Sequence, residues 1–562
     1  MNLSRKTNLR TGGQVLVDAL EVHGCRHAYL VPGESYLAVL DALHDSTITT
    51  VGARHEGGAA IMAEAHGKLT GEPGVAMVTR GPGATNAAHG LHIAFQDSTP
   101  MILFVGQVAR DTSDREAFQE IDYRRMFGEC AKWVGQIEDP GRIPEFISRA
   151  YHTALAGRPG PVVLALPEDM LVALSDVADA KPHRIAEPAP EPAAMAEFRD
   201  RLAAAERPIV VAGGPGWDEA ARDGLLAFSE MNGLPVGVSF RAQDRFDNSH
   251  PNYVGHVGIG IIPGLADMVK EADLLIVLGA RMGEMTTSGY SLVDVPQPRQ
   301  ALMHVYPGAE ELGRVYQPTL PINASVGSFL RAAVALEPVD GTRWSERVKR
   351  AHADYLEHIT PTPMPGALQL GEAFAWLSKT LPNDAIIANG AGNFSIWLHR
   401  YIQFVGRRLQ LGPTSGSMGY ELPAAVAAKL QHPERMVLSF SGDGGFQMTG
   451  NELATAVQHK LPIICFVVNN GLYGTIRMHQ ERDYPGRSSA TDLYNPDYLK
   501  FAEAYGAHGE RVERTEEFAS AFERAVAAKK PALVELCIEP DAITPVATLS
   551  GIREASLANS KS

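Results

Sequence analysis

The sequence predicts an α/β protein of three consecutive doubly wound parallel-sheet domains, and three observations carry that prediction. Short apolar runs alternate with helical stretches along the whole chain, each run ends on Gly, Pro or polar residues, and two Pro-rich breaks divide the 562 residues into blocks of similar size. Strands alternating with helices build a parallel sheet covered on both faces. In the first block, residues 1–180, the runs at 28–31, 75–79, 101–105 and 161–166 read as strands, with helices over 35–44 and 57–69. Residues 176–192, DVADAKPHRIAEPAPEP, lack a periodic apolar face and read as a linker. The second block, 193–358, opens on RPIVVAGG at 207–214 and continues with strands at 234–238, 274–279 and 301–306. TPTPMP at 360–365 closes it. The third block, 366–562, has strands at 385–388, 436–441, 463–469 and 532–538, with a helix over 451–459.

Composition excludes several classes. There are 65 acidic against 50 basic residues, a net charge of −15, and no run of Lys and Arg, so neither nucleic acid nor a membrane surface is an expected partner. The four cysteines, Cys25, Cys130, Cys465 and Cys537, form no CxxC pair and imply neither zinc nor a disulfide scaffold. The opening MNLSRKTNLRTGG has no apolar core and does not read as a signal peptide. The longest apolar run, 461–468, contains Pro462 and is too short to span a bilayer. A cytoplasmic multidomain enzyme is the expectation.

The most informative stretch is 439–472, SFSGDGGFQMTGNELATAVQHKLPIICFVVNNGL. Glycines at the carboxyl end of a strand let phosphate oxygens approach bare backbone amides beside a helix start. Asp443 and Asn470, 27 positions apart on consecutive strand ends, supply a carboxylate and a carboxamide, hard oxygen ligands suited to Mg²⁺. Either motif alone reads equally well as an ordinary turn. Together, on one βαβ unit, they point to a diphosphate and a metal.

At this point the sequence resembles the thiamine diphosphate enzymes, whose signature is GDG followed some 25–30 residues later by NN. The resemblance implies that the three domains bind the pyrimidine, form a central layer and bind the diphosphate. It implies that Asp443, Asn470 and the Leu472 carbonyl ligate Mg²⁺, and that Gly442, Gly444 and Gly445 wrap the diphosphate. NGAGNFSIW (389–397) resembles the second diphosphate loop, with Asn393 and Phe394 at its contacting positions. TSGSMGYELPAA (414–425) resembles the aminopyrimidine segment, with Gly416 accepting from the 4′-amino group and Met418 wedged between the rings. Tyr473 and Gly474 complete the cofactor set.

Activating this cofactor needs a carboxylic acid against N1′ of the pyrimidine, in a poorly solvated place where it exchanges a proton near neutrality. VGARHEGGAAIMAEAHGKLTG (51–71) offers Glu56 at a strand-to-helix junction, and the pattern matches the family's. As a residue alone, Glu56 reads equally as a helix N-terminal acid. VTRGPGATNAAHG (78–90), with Asn86, resembles the pyrimidine-domain loop, and Pro32 joins it from VPGESY (31–36). Residues 96–135 continue the match and are most like the acetolactate synthase large subunit, with Phe118, Gln119 and Lys132 lining the substrate side. The resemblance also implies that Glu56 of one subunit serves the cofactor of another, so a homodimer is the minimum and a homotetramer the expected assembly.

Four departures bear on the narrower reading. GARMGEMTTSGY (279–290) and GHVGIG (255–260) lack the family's flavin-contacting pattern, which argues against FAD and leaves the central domain empty or holding a CoA-like nucleotide. Glu34 stands where a second glycine is common. Arg80 replaces a small hydroxyl residue before GPG; it pairs with Glu34, grips a substrate carboxylate, or is a solvated charge. The segment 471–487 lacks a tryptophan and presents Arg477, His479, Arg482 and Arg487, either as surface charge or as a basic rim around a phosphate-bearing substrate. Glu34, Arg80 and Gln119 join Glu56 as candidate catalytic residues, and His479 joins the substrate pocket.

The resulting expectation is a thiamine diphosphate- and Mg²⁺-dependent lyase or carboligase working beside a carbonyl of a small molecule, acetolactate synthase-like. The alternative is a 2-hydroxyacyl-CoA or oxalyl-CoA lyase or decarboxylase. A non-catalytic regulatory paralogue is opposed by the intact set Glu56, Asp443 and Asn470.

Overall fold

The computed structural model describes residues 9–559. Most of the opening stretch that does not read as a signal peptide, residues 1–8, lies outside them. The described residues contain three six-stranded sheets. The first comprises β1 (His27–Leu30), β2 (Thr49–Gly52), β3 (Gly74–Val78), β4 (Met101–Gln107), β5 (Trp133–Gln136) and β6 (Pro161–Pro167). The second comprises β7 (Pro208–Ala212), β8 (Val236–Val238), β9 (Tyr253–His256), β10 (Leu274–Leu278), β11 (Ala301–Tyr306) and β12 (Leu320–Asn323). The third comprises β13 (Ile386–Asn389), β14 (Leu409–Leu411), β15 (Val437–Gly442), β16 (Ile463–Asn469), β17 (His508–Val512) and β18 (Ala532–Cys537).

All strand pairs in these sheets are parallel. The first runs β2-β1-β3-β4-β6-β5 and the third β14-β13-β15-β16-β18-β17, so the two share one topology. The second runs β9-β8-β7-β10-β11-β12, the 3-2-1-4-5-6 order of mononucleotide-binding folds. Central strands such as β4, MILFVGQ, are buried at every position because helices cover both faces.

The helices follow local signals. Glu56–Thr70 starts from His55, whose ring accepts from the Gly57 amide, and ends at Gly71 with φ +75°. Pro82–Asp97 has proline at its first position, where no amide donor is needed. These two helices pack closely because Gly90 has no side chain; a Cβ there would lie 2.5 Å from that of Ala60.

The three sheets form two compact units. One is Met1–Ala186 with Val426–Gln431, and the other is Glu187–Ala425 with His432–Ser562. The central and C-terminal domains merge because buried polar groups cross between them. Asn248 accepts from the Phe404 amide at 2.8 Å and its own amide donates to the Phe404 carbonyl at 3.0 Å. Gln243 donates to the His399 carbonyl at 2.8 Å. The Pro- and Ala-rich stretch 176–192 is irregular up to the helix Pro192–Ala204, yet it is anchored: the His183 ring stacks on Tyr151 at 4.9 Å. No described helix is long and apolar enough to cross a membrane.

Candidate functional site

In the first unit, the candidate residues gather at the carboxyl ends of the strands. Glu56 opens the helix after β2, and its Oε2 accepts from the Asn86 side-chain amide at 2.9 Å. A Cβ on Gly83 would come within 3.5 Å of Oε1, so the first turn of the neighbouring helix lies against the carboxylate. Asn86 is exposed and Glu56 half-buried in this chain; the poorly solvated setting expected for the acid is not created by one chain's fold. Pro32 is exposed at the end of β1, and Glu34 follows in a 3₁₀ turn with its side chain 68% exposed.

Arg80, 7% exposed, is not a solvated charge. It bonds Glu168 Oε2 at 2.7 Å and the Phe118 carbonyl at 3.2 Å, while Glu34 lies 3.8 Å away. Its main partner is therefore Glu168, which follows β6 and which sequence reading passed over. Through Phe118 the guanidinium also holds the loop that carries Gln119. Gln119 takes a left-handed backbone, φ +66°, and packs on Gly81, where a Cβ would lie 2.7 Å from its own. Phe118 is 70% exposed. Lys132 precedes β5, at the amino end of the parallel sheet, and its ammonium donates to the Ala156 carbonyl at 2.6 Å, apart from the carboxyl-end group of its own chain.

In the second unit, Gly442 ends β15, and Asp443 begins the helix Asp443–Thr449 directly, so Gly444 and Gly445 belong to a helix turn and not to a loop. Asp443 is 2% exposed. Its oxygens accept from the Gly444 amide at 2.9 Å, the Gly471 amide at 2.8 Å and Asn495 Nδ2 at 2.8 Å. Burial pushes the carboxyl up, and the groups that oppose this are those neutral amides. A buried acid surrounded by neutral donors alone suits a divalent cation.

Asn470 accepts from the Leu472 amide at 3.1 Å. The bonds that pin this turn come from Tyr473 to Thr491 and from Leu493 to Gly471, so the Leu472 carbonyl takes part in neither. Asp443 and Asn470 thus meet at the Gly471 turn, Asp443 through the Gly471 amide and Asn470 through the Leu472 amide. Asn495, tied to both Asp443 and Asn469 at 2.8 Å, orients the cluster and was not anticipated.

Asn393 and Phe394 begin the helix Phe394–Tyr401. Asn393 accepts from Thr475 at 2.9 Å, and the Phe394 ring covers Gly442. The Tyr473 ring lies where a Cβ on Gly444 would be only 2.5 Å away, and Gly474 starts the helix Gly474–Asp483. Gly416 is exposed at φ +70° with open space beside it, and Met418 lies nearby, half-buried. His479 sits on the helix Gly474–Asp483, half-buried. The basic rim is largely neutralised: Arg477 pairs with Asp492 at 2.5 Å and Arg482 with Asp483 at 2.8 Å.

In the central domain, the strand order reverses between β7 and β10, where open α/β sheets bind ligands. The loop after β10 folds on itself, with the Gly289 amide on the Glu284 carbonyl at 2.9 Å, and Arg281 pairs with Glu311 at 3.2 Å.

Comparison with known proteins agrees with this three-domain architecture. Residues 10–126 match the N-terminal TPP binding domain of thiamine pyrophosphate enzymes, residues 195–333 their central domain, and residues 390–536 their C-terminal TPP binding domain. A probable acetolactate synthase large subunit of Methanocaldococcus jannaschii is 30% identical over 96% of this chain and 94% of its own length. The acetolactate synthase large subunit of Corynebacterium glutamicum is 31% identical over 95% and 87%. The isozyme 2 large subunit of Escherichia coli is 28% identical over 94% and 95%. With its three domains matched in order and these relatives aligned over 94% to 96% of its length, the chain belongs to the thiamine pyrophosphate enzymes.

Proposed function

We propose that this enzyme is a Mg²⁺-dependent carboligase of the acetolactate synthase kind, taking a 2-keto acid as donor and a second carbonyl compound as acceptor. The observation that carries this reading is the similarity, over 95% to 96% of the chain, to acetolactate synthase large subunits, together with the intact trio Glu56, Asp443 and Asn470. When bound, thiamine diphosphate would supply a carbon nucleophile for a substrate carbonyl and an electron sink for the pair released by the adjacent C–C bond as it breaks.

The chain's own residues do the rest. Asp443, Asn470 and the Leu472 carbonyl would hold Mg²⁺, with Asn495 fixing the Asp443 carboxylate. Gly445 presents its backbone amide at the start of a helix, where negative charge is favoured, while the Gly444 amide is held by Asp443. Asn393 and Thr475 fasten the two loops to each other. Glu56, aimed by Asn86, holds and returns the proton at the pyrimidine N1′. Arg80 is largely committed to Glu168, so it positions the Phe118–Gln119 loop and does not grip substrate. The active unit is a homodimer at minimum and assembles as a homotetramer in the cytoplasm. The central domain carries no FAD, in keeping with the Arg281–Glu311 pair and the self-bonded loop after β10.

A product screen tests the reading. Pyruvate, glyoxylate, oxalyl-CoA and a 2-hydroxyacyl-CoA are supplied to the purified enzyme with thiamine diphosphate and Mg²⁺, with and without FAD. Carboligation of keto acids without flavin is expected. Turnover of the CoA esters alone would overturn it, and the neutralised arginines at 477 and 482 argue against that result. Sedimentation of the purified protein checks the assembly.

A further inference from the structure

The helix Glu421–Gln431 follows the pyrimidine-type segment, and its first residue is a glutamate only 1% exposed. The carboxylate is wedged between two glycines. A Cβ on Gly390 would lie 2.0 Å from its Oε2, and one on Gly445 would lie 3.2 Å from its Oε1. Gly390 follows β13 in the 389–397 loop, and Gly445 lies in the first turn after β15, so the carboxyl fills the space behind both diphosphate segments. Neither oxygen is in full hydrogen-bonding geometry with a donor, although the Ser441 hydroxyl and the Tyr420 and Glu421 amides lie near enough to favour the charged form.

The charged and titratable groups facing it are few. Arg241, from the central domain, lies in Coulombic range, but its guanidinium is engaged by the Pro413 carbonyl at 2.5 Å and the Gly390 carbonyl at 2.9 Å. Cys465, from β16, has its thiol pushed up to about 12 by burial and is neutral. His399, beside Arg241, is held well below its usual range by burial and that charge, and is neutral. Lys429 lies about two turns farther along the same helix. Burial outweighs the help from Ser441, the helix amides and Arg241, and pushes the Glu421 carboxyl up to about 7.

We propose that Glu421 takes up a proton from solvent when the cofactor's diphosphate settles on the glycine segments above it, so that loading of the enzyme is linked to pH through this one carboxyl. The inference rests on the thiamine diphosphate reading. β15 lies between β13 and β16 in the sheet. Asp443 reaches toward the β16 side, to Gly471 and Asn495, whereas Glu421 lies on the β13 side against Gly390. The metal's positive charge is thus gathered on the far side of β15, and Glu421 faces the anionic diphosphate through the bare backbone of two glycines. Two like charges in a poorly solvated space favour protonation of one of them. Glu421 acts here through the backbone and is a positioning residue.

Calorimetric titration of thiamine diphosphate with Mg²⁺ into the full-length enzyme, in buffers of different ionisation enthalpy between pH 6 and 8, reads the proton directly. The wild type should take up as much as about one proton more than Glu421→Gln, and its affinity should fall several-fold more steeply as pH rises. Glu421→Ala, with a smaller side chain, should flatten the profile in the same way. Equal proton uptake and parallel affinity profiles in wild type and both variants would overturn the proposal. Absence of cofactor binding by wild type at every pH would instead overturn the cofactor reading itself.

Discussion

The Asn86 side-chain amide donates to the Glu56 carboxylate across 2.9 Å, tying the first residue of one helix to the second turn of its neighbour. A carboxylate at a half-buried helix start has several rotamers open to it, and this bond selects one. Glu56→Gln should leave cofactor binding in place and slow hydrogen–deuterium exchange at the cofactor's C2 by ~10²–10⁴-fold, the usual worth of a positioned general acid–base. Asn86→Ala should slow the same exchange by roughly 10-fold, in line with losing one hydrogen bond to a charged group. Unchanged exchange in Glu56→Gln would sink the assignment.

Asp443 is buried among neutral donors, and the proposed function makes it a Mg²⁺ ligand. Asp443→Ala should abolish the Mg²⁺-dependent part of cofactor affinity, measured by titration with and without chelator. Asn495→Ala, which frees Asp443 Oδ2 from one of its donors, should weaken it by about 10-fold.

The Glu421 carboxyl, raised to about 7, also makes the empty enzyme pH-sensitive. The native state holds this proton more tightly than the unfolded chain, so its favourable contribution is complete near pH 4.5. It is lost as pH rises through about 7. In thermal melts without cofactor, Glu421→Gln should match wild type near pH 5 and exceed it by ~2–5 °C near pH 8. A constant difference across that range would contradict the burial argument.

Glu481 and Arg553 form the opposite case. Two bonds, at 2.5 and 2.7 Å, fasten the C-terminal helix Leu549–Asn559 to the helix after the NNG turn, and Arg553 holds the Glu481 carboxyl down to about 2. This contribution is complete above pH 4.5 and lost as pH falls from there toward 2. Arg553→Ala should cost about 1 kcal/mol at pH 7 by denaturant unfolding, toward the low end for a charged hydrogen bond because Arg553 is 45% exposed. The cost should shrink as pH falls below 4.5 and vanish only near pH 2.

What the sequence determined by itself is the part of the molecule whose signal is local. The strands legible as apolar runs are β1, β3, β4 and β6, then β7, β8, β10 and β11, then β13, β15, β16 and β18, and each of these lies inside its sheet. The six edge strands escaped, apart from the junction implied before Glu56, because an edge is covered less completely and tolerates polar residues, as in TTVG of β2 and HGERV of β17. Asp443, Asn470 and Glu56 were legible because their chemistry depends on a residue type at a strand end, and the surrounding glycines mark that place in the chain.

Only the tertiary structure decided which partners those residues meet. Arg80 was left open among three roles until folding brought Glu168, 88 positions away, to its guanidinium. The parallel sheet puts Lys132 at the amino end of β5, where its ammonium meets the Ala156 carbonyl, 24 positions away. Glu421 stood unremarked in a matching motif, since nothing along the chain shows that Gly390 and Gly445 close around it. Burial and the pairing of distant charges are sums over the folded molecule. A sequence states which groups are available for them, and packing alone sets how strongly water is excluded from each.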